Sequence, residues 1–507
     1  MRIVVVGNGM VGSRFVEDLL AADRAGKYDV TVLGAEACEP YNRVLLSEVV
    51  AGAYDLAALT LPTPAHPRLT VRRGSTAVAL DREDRVVVDS DGLRHRYDQL
   101  VLATGAVARI PPLADLGADP GSLVPGVHAL RTIDDAREIV AATYNATNAV
   151  VLGAGVLGLE VACGLARRGC GVTVVHPAAA MMERQLDGAA SQALEGAMAR
   201  LGIEHRVGVG ADGIRLERGR LSGVRLAGGE VLPADLLVVA TGTVVDTSLA
   251  AAAGLPTGRG VLVGKDLASP ADRRVFAIGD CAQPPEGGTG LVAQGWEQAR
   301  RLAAALTAGT AEPVAGPSAS DTSASGPSAS GPSASGTDVV RLKAHGLDVV
   351  AMGVCGSARP DDPERRSLRL SDPGAGRHVE VVVSGDRLVG ATCVGAGQVA
   401  ADLVAAYTRR TPLPADPAYL LLPALAAART DTAADPTSLP DDATVCRCNG
   451  VSKGAIAAAL GDGAQSLDEV ARATRATTGC GGCTDDVCAL VEALAPHRDR
   501  SEPVKTV

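Results

Sequence analysis

The sequence predicts a doubly wound α/β protein that continues into a small α+β domain and then a small, mostly helical one. Three observations carry that expectation. RIVVVG and NAVVLG are buried-strand patterns, and each runs directly into a glycine-rich turn and a helical pattern. Apolar strand runs alternate with helical periodicity as far as residue 308, the mark of a parallel sheet flanked by helices. Four of the eleven cysteines gather late in the chain, as Cys446-x-Cys448 and Cys480-x-x-Cys483.

Length and composition bound the rest. A chain of 507 residues is too long for one core. Apolar residues at 47% and charged residues at 21% suit a soluble globular protein, and 2% aromatics leave the cores to Ala, Val and Leu. MRIVVVG lacks the basic start and long apolar run of a signal peptide. The most apolar late segment, AYLLLPALAAA, is too short to span a bilayer and contains Pro423. The expectation is a cytoplasmic protein with no membrane association. The net charge of −10 is scattered and no basic run occurs, which argues against nucleic acid. Cysteines in such a compartment are reduced or metal-bound.

The first glycine turn is GNGMVG, residues 7–12. Gly7 permits the tight turn, Gly9 lets a pyrophosphate approach the backbone, and Gly12 lets the helix pack on the strand. Met10 and Val11 open the helix, whose N-terminus offers bare N–H groups to phosphate. An acidic residue normally follows the next strand to bind a ribose. In YDVTVLGAEA Gly34 stands at that place, and Glu36, two residues on, takes the role. The second turn is GAGVLGLE, in which Gly153, Gly155, Leu157, Gly158 and Glu160 repeat the pattern. Two such Rossmann-like turns in one chain suggest a tightly held flavin and an exchanging nicotinamide. At the end of the following strand, GVTVVHP puts His176 where a carboxylate would favour NADH. No carboxylate stands there and no arginine pair announces a 2′-phosphate, so NADH and NADPH stay open.

The four clustered thiols can ligate a tetrahedral zinc or a [2Fe–2S] cluster, or serve as a free dithiol switch. The one-residue gap at Arg447 departs from the usual zinc spacing. Cys38, Cys163, Cys170 and Cys281 have no thiol partner two to five residues away, so a redox dithiol beside a flavin is not expected. Cys488 suits helix packing.

DQLVLATG, with Thr104 and Gly105, its echo ADLLVVATG with Gly242, and RVFAIGD join the two turns in a pattern that resembles the two-dinucleotide-domain FAD/NAD(P)H oxidoreductases, glutathione-reductase-like in fold. The resemblance implies that Asp280 bonds the ribityl chain of FAD and that Arg43, in YNR, lies near the flavin. It also implies a split FAD domain at residues 1–120 and 244–308 around an NAD(P) domain at 121–243. CRCNGVSKGAI with TGCGGC resembles the bacterioferritin-associated ferredoxin domain, which implies [2Fe–2S] on Cys446, Cys448, Cys480 and Cys483 within residues 444–494. A PSASG linker at 309–337, a small α+β interface-type domain at 338–425 and a second linker at 426–443 complete the expected order.

HPAAAMMERQLD, GLVAQGWEQA and CRCNGVSKGAI together resemble the flavin- and cluster-bearing part of assimilatory nitrite reductase large subunits and the electron-transfer subunit of assimilatory nitrate reductase. The resemblance implies electron flow from NAD(P)H through FAD and the cluster to a separate nitrate or nitrite reductase subunit, since no further cysteine set follows. The family's habit implies a homodimer through 338–425. Hydride transfer calls for no acid–base side chain, so no catalytic residue is nominated. The alternative is a self-sufficient NAD(P)H oxidase, or a ferredoxin- or rubredoxin-type reductase, with a regulatory cluster. A binding or sensing module is the third reading, and the intact pair of glycine turns argues against it.

Overall fold

The computed structural model describes residues 1–117, 120–288, 290–308, 338–344, 346–356, 362, 364–414, 416–422, 436–446, 449–479 and 482–494. The linker expected at 309–337 lies outside the described residues. The chain divides into two compact units, Met1–Arg429 and Thr430–Val507.

In the first unit the strand Arg2–Val6 pairs in parallel with Asp29–Gly34 on one side and Gln99–Leu102 on the other. Its run of Ile and Val is buried on both faces, as a strand covered by helices on two sides must be. Leu69–Arg73 extends the sheet beyond Asp29–Gly34, and Asp272–Ala277 extends it beyond Gln99–Leu102. The chain therefore leaves this sheet and later re-enters it. Ala268–Ser269 closes the edge as an antiparallel partner.

A second sheet is wholly parallel, in the order Glu204–Val207, Gly171–His176, Asn148–Leu152, Leu236–Val239 and Val127–Ala129. Its central strand Asn148–Leu152 leads into the second glycine turn, just as Arg2–Val6 leads into the first. Ligands of open parallel sheets collect at the carboxyl ends of such strands.

A third sheet is antiparallel, in the order Val340–Ala344, Leu347–Gly353, Arg387–Val394, Arg377–Ser384 and Arg365–Asp372. The strand Arg377–Ser384 is buried on both faces, and alternate residues Val379 and Val381 share a cluster with Leu403 and Val404 of the helix Gly397–Arg409. The helix Gly188–Arg200 packs on its strands Arg377–Ser384 and Arg387–Val394.

The second unit is small. Thr444–Cys446 pairs with Val451–Ser452, and the helices Lys453–Gly461, Leu467–Thr474 and Thr484–Leu494 follow. Ser452 and Ser466 cap the first two helices by accepting from Ala455 N–H and Glu469 N–H. Ile456, Leu460, Val470, Val487 and Leu490 share their core with Cys446 and Cys483. Such a core is thin for an independent fold, and a metal would add stability. Among the described residues no helix is long and apolar enough to cross a membrane.

Candidate functional site

The two glycine turns have the same local design. Gly7 has φ +115° and Gly153 has φ +109°, a region that side chains rarely adopt. A Cβ on Gly12 would stand 2.1 Å from the Gly7 carbonyl oxygen, and one on Gly158 would stand 1.9 Å from that of Gly153. These third glycines are packed shut. The middle glycines differ: nothing lies within 4 Å of a Cβ built on Gly9 or on Gly155. Each is the N-cap of its helix, Met10–Ala22 or Val156–Arg167, and neither helix start has a side-chain cap. Each turn thus leaves an open concavity lined by backbone N–H groups, which suits a pyrophosphate.

Around the first turn the structure joins residues far apart in the chain. Glu36 pairs with Arg43 at 2.5 Å and accepts from the Tyr41 hydroxyl at 2.7 Å. Arg43 Nη1 donates to the Arg131 carbonyl at 2.5 Å, and Arg131 Nη2 reaches Asp280 Oδ2 at 3.1 Å. A continuous chain therefore runs Glu36–Arg43–Arg131–Asp280. Burial lowers the Arg131 pKa, with the Arg43 charge adding to the effect. Burial raises that of Tyr41, which stays a neutral donor. Thr104 is exposed just past the strand Gln99–Leu102, and Gly105, with φ +72°, comes within 3.9 Å of Arg131 Nη2 at its notional Cβ. Arg131 is the residue that sequence reading missed. Its only local signal was its place before Thr132 and Asp135, the capping box of the helix Ile133–Thr143.

Gly242, with φ +99°, ends the matching segment of the second sheet. Val107–Ala108 pairs with Thr243–Val244, so a short ribbon links the two ATG segments. Glu160 does not face the open concavity through free oxygens. It is 4% exposed; its Oε2 accepts from Ser47 Oγ at 2.6 Å, and its Oε1 accepts from Lys343 N–H at 2.8 Å and Nζ at 3.3 Å. Leu157 packs against the surrounding apolar core.

Cys38, Cys163, Cys170 and Cys281 are unbridged thiols, and burial raises the pKa of each, Cys163 to about 12. None is a ready thiolate at neutral pH. In the second unit Cys446 is 0% and Cys483 is 5% exposed within one small core. Cys483 immediately precedes the helix Thr484–Leu494, where its carbonyl accepts from Val487 N–H at 2.9 Å, and a helix N-terminus favours thiolate. Asn449 Nδ2 donates to the Arg475 carbonyl at 2.7 Å and to Thr478 Oγ1 at 3.2 Å, and lies 3.7 Å from Cys446 Sγ. It ties the loop after Cys446 to the segment before Cys483. Cys448 and Cys480 lie outside the described residues. Two thiol donors in one small core suit a zinc ion or an iron–sulfur cluster alike.

Residues 1–305 match the family described as pyridine nucleotide-disulphide oxidoreductase. The chain belongs to that family. It is an FAD-dependent NAD(P)H oxidoreductase, and residues 444–493 match the BFD-like [2Fe-2S] binding domain, so FAD, NAD(P)H and a [2Fe–2S] cluster are its cofactors. Nitrite reductase [NAD(P)H] of Bacillus subtilis is 32% identical over 98% of this chain and 57% of its own length. The assimilatory nitrate reductase electron transfer subunit of Bacillus subtilis is 29% identical over 99% of this chain and 60% of its own. The chain thus spans little more than half the length of these curated relatives. The covalent putidaredoxin reductase-putidaredoxin complex aligns over 85% of this chain and 99% of its own with a TM-score of 0.69; at 24% identity this likeness bears on the fold alone.

Proposed function

We propose that this chain carries electrons from NAD(P)H through FAD and a [2Fe–2S] cluster to a separate nitrate or nitrite reductase catalytic subunit in the cytoplasm. The observation that carries the reading is the presence, in one chain, of two open glycine cradles and a four-cysteine domain, while Cys38 and Cys281 in the first half are single thiols whose pKa burial raises. Relatives named for nitrite and nitrate reduction align with nearly all of it.

In this reading residues 1–120 and 244–308 hold FAD and 121–243 hold the nicotinamide nucleotide. Gly7, whose own N–H donates to the Leu33 carbonyl at 2.8 Å, makes the turn that lets Gly9, Met10, Val11 and Gly12 present N–H groups to the flavin pyrophosphate, Glu36 accepts from its adenine-side ribose, and Thr104, Gly105 and Asp280 face the rest of it. Arg43 and Arg131 hold the two carboxylates, Glu36 and Asp280, in register. Gly153, Gly155, Leu157, Gly158 and Gly242 cradle the second nucleotide, and Glu160 anchors their helix. Cys446, Cys448, Cys480 and Cys483 hold iron. When bound, the flavin takes electrons from NAD(P)H as a pair and passes them on singly. A homodimer through residues 338–425 belongs to the same proposal, and sedimentation of the holoprotein tests it.

Purified holoprotein should contain FAD and two irons per chain, and both chromophores should bleach with NAD(P)H. Cys446→Ser should keep flavin reduction and lose delivery to nitrate or nitrite reductase. Full turnover by that variant with its native acceptor would overturn the relay in favour of a self-sufficient reductase.

A further inference from the structure

The segment after the second nucleotide strand, HPAAAMMERQLD, folds back on the glycine turn in an unusual way. Ala154, inside that turn, donates its N–H to His176 Nδ1 at 3.3 Å, and its carbonyl accepts from Met182 N–H at 3.0 Å. Met182 is buried and has φ +49°, a left-handed conformation costly for a side-chain-bearing residue, and strain of this kind concentrates at functional sites. The Gln185 and Leu186 N–H groups, each 2.8 Å from the Met182 carbonyl, complete the turn. Its result is to set Glu183 against the end of the strand Gly171–His176, with Oε2 3.1 Å from His176 Nε2.

An acceptor at Nδ1 leaves the ring proton on Nε2, which donates to Glu183. The pair therefore carries a net negative charge, with a carboxylate oxygen to spare. It stands at the end of the strand that follows the glycine turn, where a nucleotide-binding fold meets the adenine-side ribose. Sequence reading found only His176 there, because the carboxylate arrives from seven positions further along the chain. Nearby positive charge is compensated: Arg206, opposite Val175 in the next strand, pairs with Glu230 at 3.2 Å and Glu204 at 3.5 Å. Arg184 is exposed, whereas Glu183 is held by the imidazole.

We infer that Glu183, positioned by His176, makes this chain selective for NADH over NADPH. The inference rests on residues 121–243 being the nicotinamide nucleotide site. Glu183 accepts a hydrogen bond from the ribose 2′-hydroxyl of NADH and repels the 2′-phosphate of NADPH, so specificity comes from attraction and repulsion at one oxygen pair.

Equilibrium binding of NAD⁺ and NADP⁺ to the oxidised holoprotein, by calorimetry, tests this without turnover. NAD⁺ should bind at least ~30-fold more tightly, the scale of a like-charge contact at partial exposure. Glu183→Gln should cut that ratio at least ~5-fold, chiefly by strengthening NADP⁺ binding, and Glu183→Arg should reverse the preference. His176→Ala should weaken the ratio less than Glu183→Gln, because it loosens the carboxylate without removing it. Equal or tighter NADP⁺ binding by the native protein, or an unchanged ratio in Glu183→Gln, overturns the inference and leaves the site assignment standing. Saturable binding of neither nucleotide overturns the site assignment, and the inference with it.

Discussion

The two glycine turns are nearly superposable in design and differ in what surrounds them. Both close on their third glycine and open on their second. Two positions past the third glycine, they diverge. Arg14 in the first helix pairs with Asp18 at 2.9 Å and lies 5.8 Å over the Trp296 ring, so it fastens that helix to Val292–Thr307. Glu160, the equivalent residue in the second, fastens its helix to Ser47 and Lys343. The carboxylates proposed for the two riboses diverge too: Glu36 follows its strand directly, and Glu183 is folded back onto His176. The repeated backbone geometry is what two pyrophosphate sites, as proposed, require, whereas the side chains differ because each half is anchored in different surroundings.

Glycine substitutions should break the symmetry most sharply. Gly12→Val and Gly158→Val force a side chain onto a carbonyl oxygen and should cost about 3 kcal/mol or more of stability, read by thermal unfolding. Gly9→Ala and Gly155→Ala add a methyl in open space, so both should fold normally. Gly9→Ala should be purified with little flavin, and Gly155→Ala with full flavin but at least ~10-fold weaker nucleotide binding. Loss of flavin from Gly155→Ala would show that the halves are not independent.

Glu160 and Arg14 come next. Glu160→Gln leaves the Lys343 ammonium without its buried charge partner and should destabilise by about 2–4 kcal/mol. Arg14→Gln removes an ion pair one helical turn long and should cost about 1 kcal/mol or less. Similar losses in denaturant titration would remove the distinction between the two anchors.

In the cluster domain a side chain, Asn449, joins the loop after Cys446 to the segment before Cys483. Asn449→Ala removes two hydrogen bonds between its loops and should lower the unfolding free energy of the second unit by about 1–2 kcal/mol. Because hydrogen bonds near the sulfurs tune potential, it should also shift the cluster midpoint in spectroelectrochemistry. Unchanged stability and midpoint would mean that the loops are set without Asn449.

The smallest effect is a pH dependence from the third sheet. There His378 is fully buried beside Asp187, Glu380 and Arg369, where the third sheet meets the helix Gly188–Arg200. Burial holds its pKa below the ordinary value of 6.5. The unfolded chain then binds the proton more readily than the native one. Stability from this site is complete above about pH 6.5 and is lost as pH falls toward the depressed native value. Melting temperature should fall modestly between about pH 7 and pH 5, and His378→Gln should flatten that slope.

Much of this was legible locally. The strand–glycine–helix units, the ATG echo and the cysteine spacing each lie within a few residues, and their chemistry follows from those residues. Arg131 was not legible, because its partner Asp280 comes from a distant segment. Neither were the ties of Glu160, which read as a nucleotide-site residue and turned out to have both oxygens engaged by Ser47 and Lys343. Hydrogen bonds across such separations leave no periodicity in the chain.

The amino-acid order alone determined that two nucleotide cradles and a thiolate-rich domain would form, since glycine conformation, strand burial and sulfur chemistry are local properties. Only the folded molecule decided which charges stand beside those cradles. Charges act through space, and the left-handed turn at Met182 that carries Glu183 to His176 is held by the bond from its N–H to the Ala154 carbonyl, a contact that exists only once the chain has closed on itself.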